Sequence, residues 1–210
     1  MADLEKTGKN LESRGFCVHR FATGAEAADY LVREVHGTTV GIGGSVTIDT
    51  LGVYDRLCAD NEVFWHWKSA APDTRERAGK AETYLCSANG VSETGEIVNI
   101  DGYGNRVTGT IYGLGDVYKR QIYGPRRVFL VVGKNKIAPD LNGAIDRARN
   151  IAAPLNARRL KRDTPCAKGE LRCYDCRSRE KVCGVMTVFF MPPTSIKEFH
   201  VLLVDKDLGY

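Results

Sequence analysis

The chain reads as an α/β protein: a mostly parallel sheet flanked by helices, with a cysteine-containing C-terminal antiparallel extension. Three observations carry this. Short apolar or alternating runs recur along 210 residues, with helix-period segments between them. That alternation implies crossover connections and helices on both sheet faces. The run Val128-Phe129-Leu130-Val131-Val132 is apolar at every position, as in a strand buried on both sides. The length and the 43% apolar content suit one large domain.

Taken in order, residues 4–14 form a short polar helix and residues 16–21 alternate like a strand. Thr23 is an N-cap for a helix with Ala25, Ala28, Leu31, Val32 and Val35 on one face. A strand over 38–42 leads into Gly41-Ile42-Gly43-Gly44-Ser45, and a helix follows over 48–58. Residues 63–67 read as a strand in which His66 faces away from Trp65 and Trp67. A charged helix over 73–81 and a buried strand over 83–86 come next. Glu93-Thr94-Gly95 turns a hairpin into a strand over 96–100, and residues 107–112 pair back. After the strand over 127–133, Leu141, Ala144, Ile145 and Ala148 mark a helix over 140–152. Residues 185–191 and 199–204 are two more strands, expected to be antiparallel. Residues 1–160 thus form the α/β core, and 161–210 supply a cysteine loop and strands that pack on it. Ile111-Tyr112-Gly113 recurs as Ile122-Tyr123-Gly124, so 114–124 reads as an insertion outside the core.

The formal net charge of +4 is mild. No run of about 18 apolar residues is present, and the start, Met-Ala-Asp-Leu-Glu-Lys, has no apolar stretch of a signal peptide. A cytoplasmic location is the expectation. The basic run Arg158, Arg159, Lys161 and Arg162 has no interleaved aromatics and reads as a solvated helix end rather than a nucleic-acid surface. A local anion site remains open there. Seven cysteines in such a compartment argue against disulfides. Cys17, Cys58 and Cys86 read as small buried hydrophobes.

Ligands of parallel α/β sheets bind at the carboxyl ends of strands. Four loops fit: residues 41–47, 68–71, 87–90 and 133–136. Gly43, Gly44 and Ser45 offer amides and a hydroxyl to an anion, without the spacing of a Walker or dinucleotide loop. Residues 87–107 are rich in glycine and short polar side chains, and place Asn89, Asn99, Asn105 and Arg106 as ligand contacts. Asn135 joins them at the end of the buried strand. The acid–base candidates are Asp101, Glu93 and Lys134. His66 reads as structural; His19, His36 and His200 read as incidental. Cys166-x6-Cys173-x2-Cys176-x6-Cys183 has the donor set of a four-cysteine metal centre, zinc or an iron–sulfur cluster. Free thiols or a thiol–disulfide switch are the other readings.

Together, Val40-Gly-Ile-Gly-Gly-Ser-Val-Thr47, Phe64-Trp-His-Trp-Lys68, residues 87–107, Val132-Gly-Lys-Asn-Lys-Ile137, Arg149-Asn-Ile-Ala-Ala-Pro-Leu-Asn156, Thr164-Pro-Cys166, Cys173-Tyr-Asp-Cys-Arg-Ser178 and Asp207-Leu-Gly-Tyr210 resemble the LUD (lactate utilisation) domain family, in its DUF162 or YkgG-like branch. The resemblance covers nearly the whole chain and departs from it at 114–124. It implies a fold similar to sugar-phosphate isomerases and CoA transferases. It also implies a role beside iron–sulfur partner proteins in oxidising lactate to pyruvate. The CoA-transferase relatives carry a nucleophilic glutamate in Ser-Glu-Asn-Gly, whereas this chain has Ser87-Ala88-Asn89-Gly90, so acyl transfer through that position is excluded.

The reading is therefore a component of a lactate-oxidising system that binds a small carboxylate or phosphate and relies on iron–sulfur oxidoreductase subunits for electron transfer, since no flavin or nicotinamide motif is present. Two alternatives stand beside it. One is a sugar-phosphate isomerase-like or CoA-transferase-like enzyme. The other is a non-catalytic, zinc-stapled assembly subunit.

Overall fold

The computed structural model describes residues 2–112 and 124–210. The proposed insertion, apart from Gly124, lies outside the described residues. The chain begins with α1 (Leu4–Ser13), β1 (Cys17–Phe21), α2 (Gly24–Glu34) and β2 (Thr39–Ile42). Thr23 is the N-cap of α2, as expected, and with Glu26 it closes a reciprocal capping box. The helix expected over 48–58 is two short helices, α3 (Val46–Leu51) and α4 (Tyr54–Cys58), because Gly52 at φ 64° ends the first. Then come β3 (Glu62–Trp65), α5 (Thr74–Lys80), β4 (Thr83–Cys86), β5 (Gly90–Ser92) and β6 (Ile97–Asp101).

Residues 107–112 are not a strand. Residues 107–111 belong to α6 (Asn105–Ile111), and Tyr112 is its C-cap. Gly104, at φ 93°, turns the chain, and Asp101 accepts from the Arg106 amide at 2.9 Å. The hydroxyls of Thr108 and Thr110 donate back to Gly104 O and Arg106 O, both at 2.9 Å. That local bonding overrides the β-branched composition that suggests a strand.

The remaining elements are β7 (Arg127–Gly133), a 3-10 turn (Lys134–Lys136), β8 (Ile137–Ala138), α7 (Leu141–Arg147), a π-helical stretch (Ala148–Ala152), α8 (Ala153–Arg159), α9 (Pro165–Lys168), β9 (Val185–Phe189) and β10 (Glu198–Val204). The helix expected to stop at residue 152 thus runs on through Pro154 to Arg159. The π stretch precedes the proline, where an ordinary helical ladder would lack a donor.

The described residues form two sheets. The larger is wholly parallel, in the order β1-β10-β7-β4-β2-β3. The smaller is mixed, in the order β8-β5-β6-β9. The two C-terminal strands do not pair with each other, contrary to the antiparallel expectation. β9 lies antiparallel to β6 in the small sheet, while β10 lies parallel between β1 and β7 in the large one. The buried run of β10 is that of a central strand with both faces covered.

Three apolar layers follow from strand alternation. Phe129 and Val131 of β7 face Ala27, Leu31, Ile48 and Leu57 of the α2–α4 side. Val128, Leu130 and Val132 face the other way, toward Leu11 of α1 and Val91, Ile97 and Phe189 of the small sheet. Val98 and Ile100 continue outward onto Ala144, Ala148 and Ala153. No helix among the described residues is long and apolar enough to cross a membrane.

His19 and His200 are not isolated. Their rings are hydrogen-bonded at 3.1 Å, Tyr30 Oη reaches His19 at 2.9 Å, and Glu198 lies 3.3 Å from His200 and 3.1 Å from Arg127. Burial holds both imidazoles below their ordinary value of 6.5, and also His66. A histidine kept neutral in the fold contributes stability that is present above its unfolded value and lost as pH falls. The urea midpoint is therefore expected to drop between about pH 7.5 and pH 5.5, above the carboxylate range. His19→Gln with His200→Gln should flatten that slope; an unchanged slope in the double variant would refute this assignment.

Candidate functional site

The site grows out of the junction between the two sheets. β4 leaves the large sheet through Ser87-Ala88-Asn89 and enters the small one as β5. β7 does the same through Lys134-Asn135-Lys136 and enters as β8. Since β4 pairs with β7 and β5 with β8, the two crossings run side by side.

Lys136 stitches them together. Its Nζ donates to Ser87 Oγ at 2.9 Å, Thr47 Oγ1 at 2.8 Å and Ala88 O at 3.3 Å. Arg147 repeats the stitch from α7, donating to Asn135 O at 2.7 Å and Asn89 O at 2.5 Å. Lys136 is 2% exposed. Burial, reinforced by Arg147 and Arg106, pulls its amine down to about 7. Burial also pulls the Arg147 guanidinium down to about 10.

Above Lys136 lies a cavity of about 20 Å³, roughly one water in size, bordered by Ser45, Thr47, Ser87, Asn89 and Tyr210 among others. Gly44, Arg106 and Asn156 border both this cavity and an open cleft of about 490 Å³. The described cleft lining carries Arg75, Arg106, Arg159, Arg162, Arg179 and Lys181, against Asp101 and Glu180. Two of the arginines lie over aromatic rings, Arg159 over Trp67 at 4.8 Å and Arg75 over Tyr103 at 5.2 Å. Such a surface suits a negatively charged ligand with a flat or apolar portion.

Of the expected contacts, Gly44, Ser45, Asn89, Asn105, Arg106 and Asp101 border this site. Asp101 accepts from the amides of Arg106 at 2.9 Å and Tyr103 at 3.2 Å, with Arg106 Nε at 3.9 Å. It both shapes the loop and faces the cleft. Ser45 caps α3, accepting from the Ile48 amide at 3.3 Å. Asn89 Oδ1 accepts from the Ile100 amide at 2.9 Å.

The others are elsewhere. Glu93 holds Lys6 at 3.0 Å and the Asp3 amide at 3.1 Å, at the turn of the hairpin. Lys134 pairs with Asp205 at 3.0 Å on the surface. Asn135 ties the C-terminal segment through Gly209 O at 3.0 Å and the Leu208 amide at 3.1 Å. Asn99 is buried in the small sheet and borders neither cavity. Gly43 serves packing: a Cβ there would lie 2.8 Å from Tyr84 Oη and from Arg106 Cγ.

Sequence reasoning misses Lys136, of which only the neighbours Lys134 and Asn135 stand out. A 3-10 turn of three residues offers no periodicity from which to choose its inward member. Asn156, Arg159 and Arg162 come to the cleft because the helix continues past Pro154. His66 is not in a strand: β3 ends at Trp65, whose carbonyl accepts from the Lys68 and Ser69 amides, and His66 turns into the cleft.

The four clustered cysteines are free and partly buried. They sit around residues 169–184, which hold no helix or strand. Cys183 is raised by burial first and also by the nearby thiols of Cys173, Cys176 and Cys166. Cys173 Sγ accepts from Arg149 and from the Asp175 amide, both at 3.4 Å. Among the described residues no group of three or more His, Cys, Asp or Glu side chains is arranged to hold a metal ion. Cys58 and Cys17 are exposed rather than buried; Cys86 is buried as expected.

A family model described as LUD domain matches residues 4–204. The crystal structure of a DUF162 family protein from Deinococcus radiodurans at 1.70 Å resolution is similar in fold, with a TM-score of 0.50 and 10% identity, over 96% of this chain and 95% of that one. No curated protein matches.

Tyr84 is buried in the core with its hydroxyl donating to Asn105 O at 3.2 Å, and Gly109 packs directly on its ring. A Cβ at 109 would lie 2.5 Å from Tyr84 Cζ. Gly109→Ala is expected to cost about 1–3 kcal/mol through overpacking, read as a lower urea midpoint. An unchanged midpoint would show that α6 shifts freely.

Proposed function

This chain belongs to the LUD domain family, which is associated with lactate utilisation, and on that footing we propose that it is the small-anion-binding component of a lactate-oxidising system. The cleft at the carboxyl ends of β2, β3 and β6 is the ligand site in this reading. The observation that carries it is the gathering of Arg75, Arg106, Arg159, Arg162, Arg179 and Lys181, from separate segments, around one concavity with only two carboxylates among its described lining. Gly44 and Ser45 offer hydrogen bonds at its inner end, and Arg106 is fixed there through its hydrogen bonds to Asp101 and to the Ile100 carbonyl. In this reading Asp101, which lines the cleft, is the group that exchanges a proton with the ligand. Ala88 brings no nucleophile to the inner cavity, so the chemistry assigned here is binding and proton handling, with electrons passing to iron–sulfur partners.

The thermal-shift pattern tests this. Lactate, pyruvate or a sugar phosphate should raise the melting temperature. Replacing Arg159 and Arg179 together by glutamine should weaken that binding by about tenfold or more, since hydrogen bonds to charged groups contribute about 1.5–3 kcal/mol each. A melting temperature indifferent to all three anions would rule the cleft out as an anion site.

For Cys166, Cys173, Cys176 and Cys183 the reading is a four-thiolate centre, zinc or iron–sulfur, closing over a stretch without regular structure. Support comes from four partly buried thiols within one short segment. Anaerobic metal analysis with an absorption spectrum decides it. About one metal centre per chain is expected, lost on replacing Cys173 and Cys176 by serine; metal-free protein of unchanged stability would exclude it.

A further inference from the structure

The junction beneath the cleft is wired for a charge that its own residues do not balance. Ser87 Oγ donates its hydrogen to Val131 O at 2.6 Å, and Thr47 Oγ1 donates its own to Leu208 O at 3.3 Å. Both oxygens therefore accept from Lys136, and Ala88 O is a third acceptor. Three acceptors match the three donors of an ammonium ion.

Among the described residues, the groups facing that amine do not supply a counter-charge. Arg106 approaches from α6 and Arg147 from α7, both cationic, and Cys86 from β4 has a thiol pushed up to about 12 by burial. Thr47 and Ser87 contribute hydroxyls. Among the described residues, the carboxylate paired with any of these three cations is Asp101, 3.9 Å from Arg106 Nε and already engaged with two amides. A buried cation without a partner is costly, and the cost is relieved by neutralisation or by an incoming anion.

We propose that the cleft takes a ligand ending in a doubly negative phosphoryl group, one oxygen of which enters the inner cavity against Lys136, and that this docking draws a proton from solvent onto the Lys136 amine. The inference rests on the cleft being an anion site and names the charge class of its ligand. The inner cavity, about 20 Å³, admits one oxygen and not a whole phosphate. The bond to Ala88 O, at 3.3 Å the longest of the three, is the one that oxygen replaces. A dianion offsets both Lys136 and Arg106, whereas a single carboxylate offsets one of them.

Sulfate is the probe, because it stays doubly charged across the working range. Calorimetric titration at about pH 8.5 in two buffers of different ionisation heat counts the protons. Uptake approaching one proton per site is expected, with affinity falling about tenfold between about pH 8 and 9. Lactate, a monoanion, should bind at least about tenfold more weakly. Lys136→Met should abolish both the proton uptake and the pH slope. If that variant does not fold, the two-buffer count on the unmodified protein still decides. Tight sulfate binding without proton uptake overturns the proposal, as does lactate binding as tightly as sulfate. The latter leaves the small-anion reading of the cleft standing, whereas failure of both anions to bind removes that reading too.

Discussion

The two crossings between the sheets are the constraint on which the molecule depends. Strands β4 and β7 are neighbours in the large sheet, and their continuations β5 and β8 are neighbours in the small one. Each crossing must change direction within three residues, which leaves backbone carbonyls without strand partners in a buried place. Lys136 and Arg147 satisfy them, reaching Ala88 O, Asn135 O and Asn89 O. Aliphatic side chains would fill the same space without donors, so the architecture requires polar groups here. Long cationic side chains serve because their stems pack while their heads donate.

That structural solution has an electrostatic side effect. Donors arrive as positive charge, and burial removes the water that would screen it. The positive potential therefore extends from the junction into the cleft, where arginines from α5, α6, α8 and the 179–182 segment add to it. Asp101 is the local counterweight, and its hydrogen bonds to the amides of Tyr103 and Arg106 fix the start of α6. Fold and cleft are thus one arrangement: the bonds that hold two sheets together also set the sign of the potential in the cleft.

The parallel sheet, the N-cap at Thr23 and the hairpin at residues 90–101 were legible from periodicity and turn chemistry. So were the loops at Gly44–Ser45 and Ser87–Asn89, because glycine and short polar residues after a strand have few other uses. The rest was hidden for identifiable reasons. Thr108 and Thr110 look like strand residues until their hydroxyls are seen bonding back along a helix turn. In Lys134-Asn135-Lys136 all three residues are polar, and only the three-dimensional turn decides that the last one points inward while the first meets Asp205. Arg159 and Arg162 resemble a solvated helix end locally; the wall opposite them, Arg179 and Lys181, lies across a cysteine-bearing loop with no sequence signal linking the two.

The position of β10 has a consequence for how the chain is made. Among the described residues β1 has a single neighbour in the large sheet, and that neighbour is β10, with Cys17 aligned on His200 and Phe21 on Val204. The earliest of these strands to leave the ribosome must therefore wait, unpaired on both edges, until residue 204 has been synthesised. During that interval its backbone donors and acceptors are open to other nascent chains. The one element made before it, α1, packs beside β1 in the finished fold and leaves the pairing of its edge to β10.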